Sequence, residues 1–418
     1  MRRITIPILL LLMLSFAGCL STTLIPTIAE PQTQPPTDQE CDIAVEAMAA
    51  AEAAAPLPFT VLYAGADIEK AMYEPAVGAY LGIWLWDGLR KQDINAMAER
   101  EHAVFAIEMT LGDEFPSTWI LQSISARAAP LIVLRMPESA AEDFPLHEIT
   151  MFAHELGQYN LPAFVVFNPL PSVPGISAED YVLLFRYARI LFRTYAPMAA
   201  FVWHGDDINA TPKCPFYPGH DAVDWVSVAL TAPQGPEGFV YDIPSKLKPF
   251  YLSFQQYKPI IILPIGVSHF SHRDFVYRVP QAAAEIVRVY EAIRDGFPRV
   301  RMVVYANHGL TSARGDDFSI TREQGTMEAY RDAIADSHFI SRLMPRGDDG
   351  PLWLLSPLNG YYHEGQVFVD QEVLPAGHRR VSSNAIAEIN GRSFVEIGAV
   401  QEMEIDIDHT RRVIWITG

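Results

Sequence analysis

Eight short apolar runs recur along the middle of the chain, at residues 76–83, 103–109, 130–135, 163–168, 199–204, 224–230, 259–266 and 301–306. Most are β-branched and nearly continuous in hydrophobicity, the pattern of strands covered on both faces. Between them lie stretches with helical spacing, among them 92–101, 146–158, 178–195 and 281–295. Strands alternating with helices in this way predict an α/β fold, a (β/α)8 TIM barrel over residues 59–345. The third connection and the one after His204 are loop-rich, so the count of eight rests on the strands. After residue 350 the texture changes to short runs at 366–370, 385–389, 393–397, 402–407 and 412–417. Asn390-Gly391 between two of them is a hairpin turn signal. Residues 350–418 therefore predict a small all-β C-terminal appendage.

The N-terminus adds an address. Arg2 and Arg3 precede an apolar run that ends at Ala17-Gly18-Cys19, which is a charged n-region, a short h-region and a small-residue cleavage site. A cysteine directly after Ala-Gly reads as a bacterial lipobox, so residues 1–19 are expected to be a lipoprotein signal peptide and Cys19 the lipidated first residue of the mature chain. An ordinary secretory signal is the alternative; a membrane-spanning helix would need a longer run. Residues 20–58 are rich in Thr, Pro, Gln and then Ala, a tether that would hold the folded part off a membrane. The expected location is extracytoplasmic, lipid-anchored to a bacterial membrane. The other cysteines, Cys41 and Cys214, could pair in an oxidising compartment, which the sequence leaves open.

Composition narrows the partner. A net charge of −19 argues against nucleic acid, which needs clustered Lys and Arg. It suits a neutral ligand such as a polysaccharide or oligosaccharide. No dinucleotide fingerprint, phosphate loop or Gly-x-Ser-x-Gly elbow is present, and no cofactor is expected. The oligomeric state is not legible.

In such a barrel the chemistry sits where strands end. Those ends carry Trp84 and Trp86 after the first strand, Glu108 after the second, Arg135 after the third, and Trp203, His204, Asp206 and Asp207 after the fifth. His269 and His272 follow the seventh, and Asn307 and His308 the eighth. Rings at a barrel mouth suit the axial C–H faces of sugars. Trp84, Trp86, Trp203, His204, Tyr217 and Asn307 are therefore the candidate ligand-binding residues; for each Trp, closing the core is the competing role. His269-x-x-His272 with His204, Asp206 and His308 could converge, but the spacing matches no zinc signature, and no metal is expected.

Several of these pieces resemble glycoside hydrolase family 26, the β-mannanase-like barrels. Gly78-Ala79-Tyr80-Leu81-Gly82 is similar to that family's first-strand motif, and Ala200-Phe201-Val202-Trp203 to its fifth strand. Phe216-Tyr217-Pro218-Gly219-His220-Asp221, with Asp224-Trp225-Val226 following, resembles its most specific signature. Lys258-Pro259 with the isoleucines after it resembles the run leading to its nucleophile. The order agrees over residues 76–306. The resemblance implies a retaining enzyme with two glutamates, one at the end of the seventh strand and one after the fourth. Here Pro264 stands at the first position. The second region reads Leu170-Pro171-Ser172-Val173-Pro174, with no carboxylate before Glu179. By this resemblance the fold is kept and both catalytic glutamates are missing. Relocated carboxylates are the alternative, with Glu108, Asp206 and Asp207 as candidates. A third reading is an envelope scaffold without catalysis.

Overall fold

The computed structural model of the chain describes residues 57–64, 70–86, 88–137, 144–168, 176–207, 214–309, 315–343, 353–363, 366–371, 385–389, 392–397, 404–408 and 413–417. The lipobox with Cys19, Cys41, nearly all of the 20–58 tether and the loop from Pro169 to Gly175 lie outside these residues.

The eight barrel strands are Ala79–Leu85, Val104–Thr110, Ala129–Arg135, Ala163–Phe167, Ala199–Asp207, Trp225–Ala232, Ile260–Val267 and Val300–Asn307. Each pairs in parallel with the next, and the eighth closes on the first, with Met302 opposite Tyr80 and Asn307 opposite Leu85. The short strand Phe339–Ile340 pairs in parallel with the start of the first strand, at Ala79 and Tyr80. The helices Lys91–Met97, Ser117–Ser125, Leu146–Gln158, Ala178–Tyr195, Ile243–Phe254, Val279–Gly296 and Gln324–Ile334 occupy the connections. The expected (β/α)8 barrel is therefore the fold. The structure adds three helices, Ser117–Ser125, Ile243–Phe254 and Gln324–Ile334, to the four named from the sequence; Pro244 and Pro249 interrupt the helical reading of Ile243–Phe254.

The strands read as continuous apolar runs because two cores flank them. Side chains alternate along each strand. One set, including Leu81, Phe201, Ile262 and Val303, packs outward under the helices. The other set fills the barrel with Tyr80, Val104, Leu131, Phe164, Val202, Trp225, Ile261 and Met302. Trp225 closes the lower end: its ring meets Phe164 edge-on at 5.5 Å and its Nε1 donates to the Met72 carbonyl at 2.7 Å. The lead-in segment at 70–78 is tied under the barrel by Glu74, Arg299 and Arg301, all fully buried.

The expected start of the barrel at residue 59 is corrected. Leu57–Ala64 belongs to a seven-stranded sheet with the C-terminal strands, antiparallel to Trp353–His363 and parallel to Val413–Thr417. A parallel pairing needs a long crossover, and the whole barrel supplies it. The appendage thus takes one strand from the N-terminal side, and Trp353–His363 is a further strand that the sequence reading did not find. The remaining strands, Gln366–Asp370, Ile386–Ile389, Arg392–Glu396, Glu404–Asp408 and Val413–Thr417, lie where the short runs predicted them. Ile389 pairs with Arg392 across the two-residue Asn390-Gly391 connection.

Candidate functional site

The inward positions of the barrel strands, followed upward, lead out of the core and into polar residues. On the second strand Val104 and Ala106 are inside the barrel, and two residues on comes Glu108. On the third, Leu131 and Val133 lead to Arg135. On the fourth, Phe164 and Val166 lead to Asn168. On the fifth, Ala200 and Val202 lead to His204. On the first, Tyr80 leads to Trp84 and then Trp86, and on the eighth, Met302 and Val304 lead to Ala306 and then His308.

Strand register puts some of these side by side. Trp84 is level with Ala106 on one neighbour and Ala306 on the other, so Trp86 runs level with Glu108 and His308. With strands about 4.8 Å apart, this row spans about 10 Å. Trp86 is 50 % exposed and stacks on the His308 imidazole, centroids 4.5 Å apart and planes 16° from parallel. Trp84, buried below, braces Trp86 edge-on at 5.2 Å, and Phe318 braces His308 edge-on at 5.2 Å. The result is a rigid, wet aromatic platform. Beside it the Arg135 guanidinium donates from Nε to Glu108 Oε1, and both side chains stay partly exposed.

Around the rim, His204 Nδ1 lies 2.9 Å from Ser227 Oγ, level with it on the sixth strand. Asn168 is buried with a positive φ of 44°, and its carbonyl accepts from Tyr181 OH at 3.1 Å. Asp206 and Asp207 end the fifth strand, where the register against the sixth shifts; their side chains lie outside the described positions. On the seventh strand Pro264 is the one residue that is not buried. Among the described residues no group of three or more His, Cys, Asp or Glu is placed to hold a metal. None of the described helices is long and apolar enough to cross a membrane.

Three candidate binding residues are elsewhere. Trp203 sits on the outward set of its strand and is fully buried, with its ring against Tyr217 at 5.0 Å and Phe254 at 5.6 Å. Tyr217 is buried in the same cluster. Both belong to the layer under the helix Ile243–Phe254, because odd positions of the fifth strand point away from the barrel axis. Asn307 is fully buried, and its Oδ1 accepts from the Ile320 backbone N–H at 2.9 Å. It clamps the loop that carries Phe318 instead of facing the mouth. Replacing Asn307 by alanine leaves that N–H without its partner, so we expect a loss of about 2 kcal/mol in unfolding free energy. Faster amide exchange at Ile320 in the variant is the second readout.

The segment that carries the family-like signature is also structural. Asp221 pairs with Arg186 at its surface end. Asp224 accepts from Arg189 at 2.6 Å and from the Phe201 N–H at 2.7 Å, fastening the start of the sixth strand to the helix Ala178–Tyr195. Burial pulls the Arg189 guanidinium below its ordinary range, with Asp224 opposing.

Next to the mouth, His269 and Asp317 are buried, Nε2 to Oδ2 3.5 Å, and Arg322 pairs with the same carboxylate. Burial pushes the His269 imidazole below its ordinary value, and the Asp317 charge works against that shift.

Arg135 and Asn168 end the third and fourth apolar runs in the sequence and carry no expected role there; neither does Ser227. Continuing the two-residue alternation past the last apolar position of each strand finds Glu108, Arg135, Asn168, His204 and His308. Phe318 arrives from a loop, and no local pattern points to it.

No family model matches the chain, and no curated protein does. Among solved structures, Cel5A of Thermotoga maritima in complex with mannotriose overlaps 62 % of this chain and 98 % of its own, at 13 % identity and a TM-score of 0.45. A GH26 β-mannanase from Bacteroides ovatus overlaps 69 % of this chain and 91 % of its own, at 11 % identity and 0.44. The GH26-CBM35 β-(1,4)-mannanase of Podospora anserina overlaps 66 % and 68 %, at 10 % identity and 0.42. Overlaps this loose place the chain in no family; the barrel is established by its own closed strand order.

Proposed function

We propose that the barrel mouth binds a neutral β-linked glycan and does not cleave it at an enzymatic rate. The observation that carries this reading is the half-exposed Trp86–His308 stack, level with Glu108 and next to Arg135. A flat aromatic face takes the C–H side of a pyranose ring, and a carboxylate–guanidinium pair offers acceptors and donors to its hydroxyls. Glycoside cleavage needs two carboxyl groups flanking the bond, about 5–5.5 Å apart for retention and about 6.5–9.5 Å for inversion. Glu108 is the one carboxylate among the described side chains of the row, and Arg135 occupies its oxygen. Pro264 stands where the family-26-like pattern calls for a nucleophile. Binding without the groups that lower the barrier leaves affinity and removes turnover. The lipobox supports a location outside the cytoplasm, with Cys19 carrying the anchor and the glycan met at the cell surface.

The test is a titration of the chain with β-1,4-linked manno- and cello-oligosaccharides, with reducing ends measured in the same samples. Saturable binding without new reducing ends is expected, and Trp86→Ala should weaken it about ten-fold, the loss of one stacked ring. Turnover at an ordinary enzymatic rate, abolished by Glu108→Ala or Asp206→Ala, would establish a glycosidase with relocated carboxylates instead. No binding to any glycan would leave the scaffold reading.

A further inference from the structure

We infer that the mouth takes a chain of several sugar units, whose far end lies on a second aromatic platform formed by Phe275 and Tyr277. This inference rests on the glycan-binding reading above. Both residues belong to a hairpin that follows the seventh strand, with Phe270–Ser271 antiparallel to Val276–Tyr277. Phe275 is 78 % exposed and Tyr277 44 %. The large aromatic residues that are exposed among the described ones are Trp86, Tyr257, Phe275 and Tyr277. Three of these four therefore follow the first and seventh strands, on one side of the mouth.

The hairpin is built to hold these rings out. Phe275 adopts φ 58°, a left-handed conformation that a bulky residue enters only against strain. Asn or Gly would fit that turn without strain, so the ring is displayed at a conformational cost. Arg278 pairs with Asp274 through both of its terminal nitrogens, one at 3.0 Å, and its own N–H donates to the His269 carbonyl at 2.8 Å. Phe270, buried, lies 4.8 Å from the Tyr277 ring and 6.4 Å from Phe275. The His269 ring also lies against Tyr277, at 5.6 Å. Each exposed ring thus rests on a buried one, as Trp86 rests on Trp84.

The two platforms share one root. Phe318 braces His308 and also packs on the seventh strand at Gly266, where an added Cβ would come within 2.9 Å of the ring. Its neighbour Asp317 faces His269, whose N–H donates to the Asp317 carbonyl at 2.9 Å. One dipeptide therefore connects the ring stack at the first and eighth strands to the base of the hairpin. Along this route Asp274 pairs with Arg278 and Asp317 with Arg322, while Arg273 stands exposed in the same turn.

Chain length is the readout that separates one platform from two. The probes are β-1,4-linked mannotriose and mannohexaose, titrated into the full chain, its Trp86→Ala variant and a Phe275→Asn/Tyr277→Thr variant. Asparagine keeps the left-handed turn. The hairpin variant should bind the hexasaccharide about ten-fold more weakly and the trisaccharide within about two-fold of the unmodified chain. Trp86→Ala should weaken both. Restoring rings with Phe275→Tyr/Tyr277→Phe should restore the long-chain affinity, which a merely misfolded hairpin would not predict. Equal hexasaccharide affinity in the hairpin variant and the unmodified chain would overturn the inference while leaving the first platform intact. So would a hairpin variant whose only deficit is retention on phospholipid vesicles, which would make the hairpin a membrane contact. If the unmodified chain binds neither probe nor the matching cello-oligosaccharides, the glycan-binding reading itself is wrong.

Discussion

Replacing Glu74 by alanine should lower the unfolding free energy by about 3–5 kcal/mol, the range for breaking a buried ion pair from one side. Glu74 has no exposed side-chain surface. It accepts from Arg299 Nε at 3.1 Å and Nη2 at 3.3 Å, and Arg301 Nε lies 3.8 Å away. The remaining donors of the two arginines are directed at carbonyls, Arg299 to Gln255 at 2.6 Å and Arg301 to Ala76 at 3.0 Å and Gly78 at 3.3 Å. Burial already pushes the Arg301 guanidinium down to about 10, with Glu74 opposing that shift and Arg299 adding to it. Without Glu74, two guanidinium charges remain under the barrel with no carboxylate bonded to them among the described residues, only carbonyl dipoles. Since domains of this kind are stable by about 5–15 kcal/mol, the loss should be plain in a urea titration. Glu74→Gln, which keeps the shape and drops the charge, should lose most of the same amount. A change under about 1 kcal/mol in both variants would mean that the triad does not hold the lead-in segment. Glycan affinity per folded molecule should not change, because the triad lies at the end of the barrel opposite the mouth.

The barrel was legible because its signal is local. Val300–Asn307 is buried at every position, and Met302 to Ala306 within it form an unbroken apolar run that cannot be confused with a half-wet strand. Leu146–Gln158 and Ala178–Tyr195 kept their predicted bounds because their buried residues, Ile149, Phe152, Ala153 and Leu156 in the first, repeat at helical spacing. The strand Leu57–Ala64 is not legible in the sequence, which divides these residues between tether and barrel, for the opposite reason. Its partners lie near 355 and 415, and nothing within the strand distinguishes a barrel neighbour from a distant one.

The site was half legible. Trp86 and Glu108 were found by position at strand ends, and both lie in one row. Trp203 and His204 are adjacent in sequence and point in opposite directions, so one is core and the other rim. Only the parity of each strand decides this, and parity becomes readable once the inward set is anchored by residues such as Val202 and Trp225. Asn307 shows a second limit. Its type suits a ligand, and its hydrogen bonds to a later loop are invisible without the fold. The same distinction bears on the proposed function: among the described residues, the exposed rings near the mouth are what the glycan-binding reading rests on.

Lowering the pH from 7 to 5 should remove about 4 kcal/mol of stability through two histidines alone. His102 is fully buried, with Nδ1 2.7 Å from Asn95 Oδ1 and Nε2 2.9 Å from Tyr330 OH. Burial first, and then the Arg100 charge, pushes its imidazole down to about 3. His338 is pushed down to about 4 by burial and by Arg301, with Asp336 opposing. Both folded values lie below the unfolded value of about 6.5, so the unfolded chain binds the extra protons and acid favours it. The penalty is small above about pH 7. It grows as the pH falls and levels off at about 4 for His338 and about 3 for His102. At pH 5 each contributes about 2 kcal/mol, from about 1.4 kcal/mol per unit over 1.5 units. The carboxylates held low by hydrogen bonds and ion pairs, such as Asp221 and Asp242, add their own loss only as the pH approaches about 4, so the window from 7 to 5 isolates the histidines. His102→Gln, which cannot take up a proton, should be less stable at pH 7, having lost the imidazole's fit between Asn95 and Tyr330. It should also lose about 2 kcal/mol less than the unmodified chain between pH 7 and pH 5. Urea unfolding at the two pH values measures both quantities, and an equal acid loss in the two proteins would show that His102 is not held neutral by the fold.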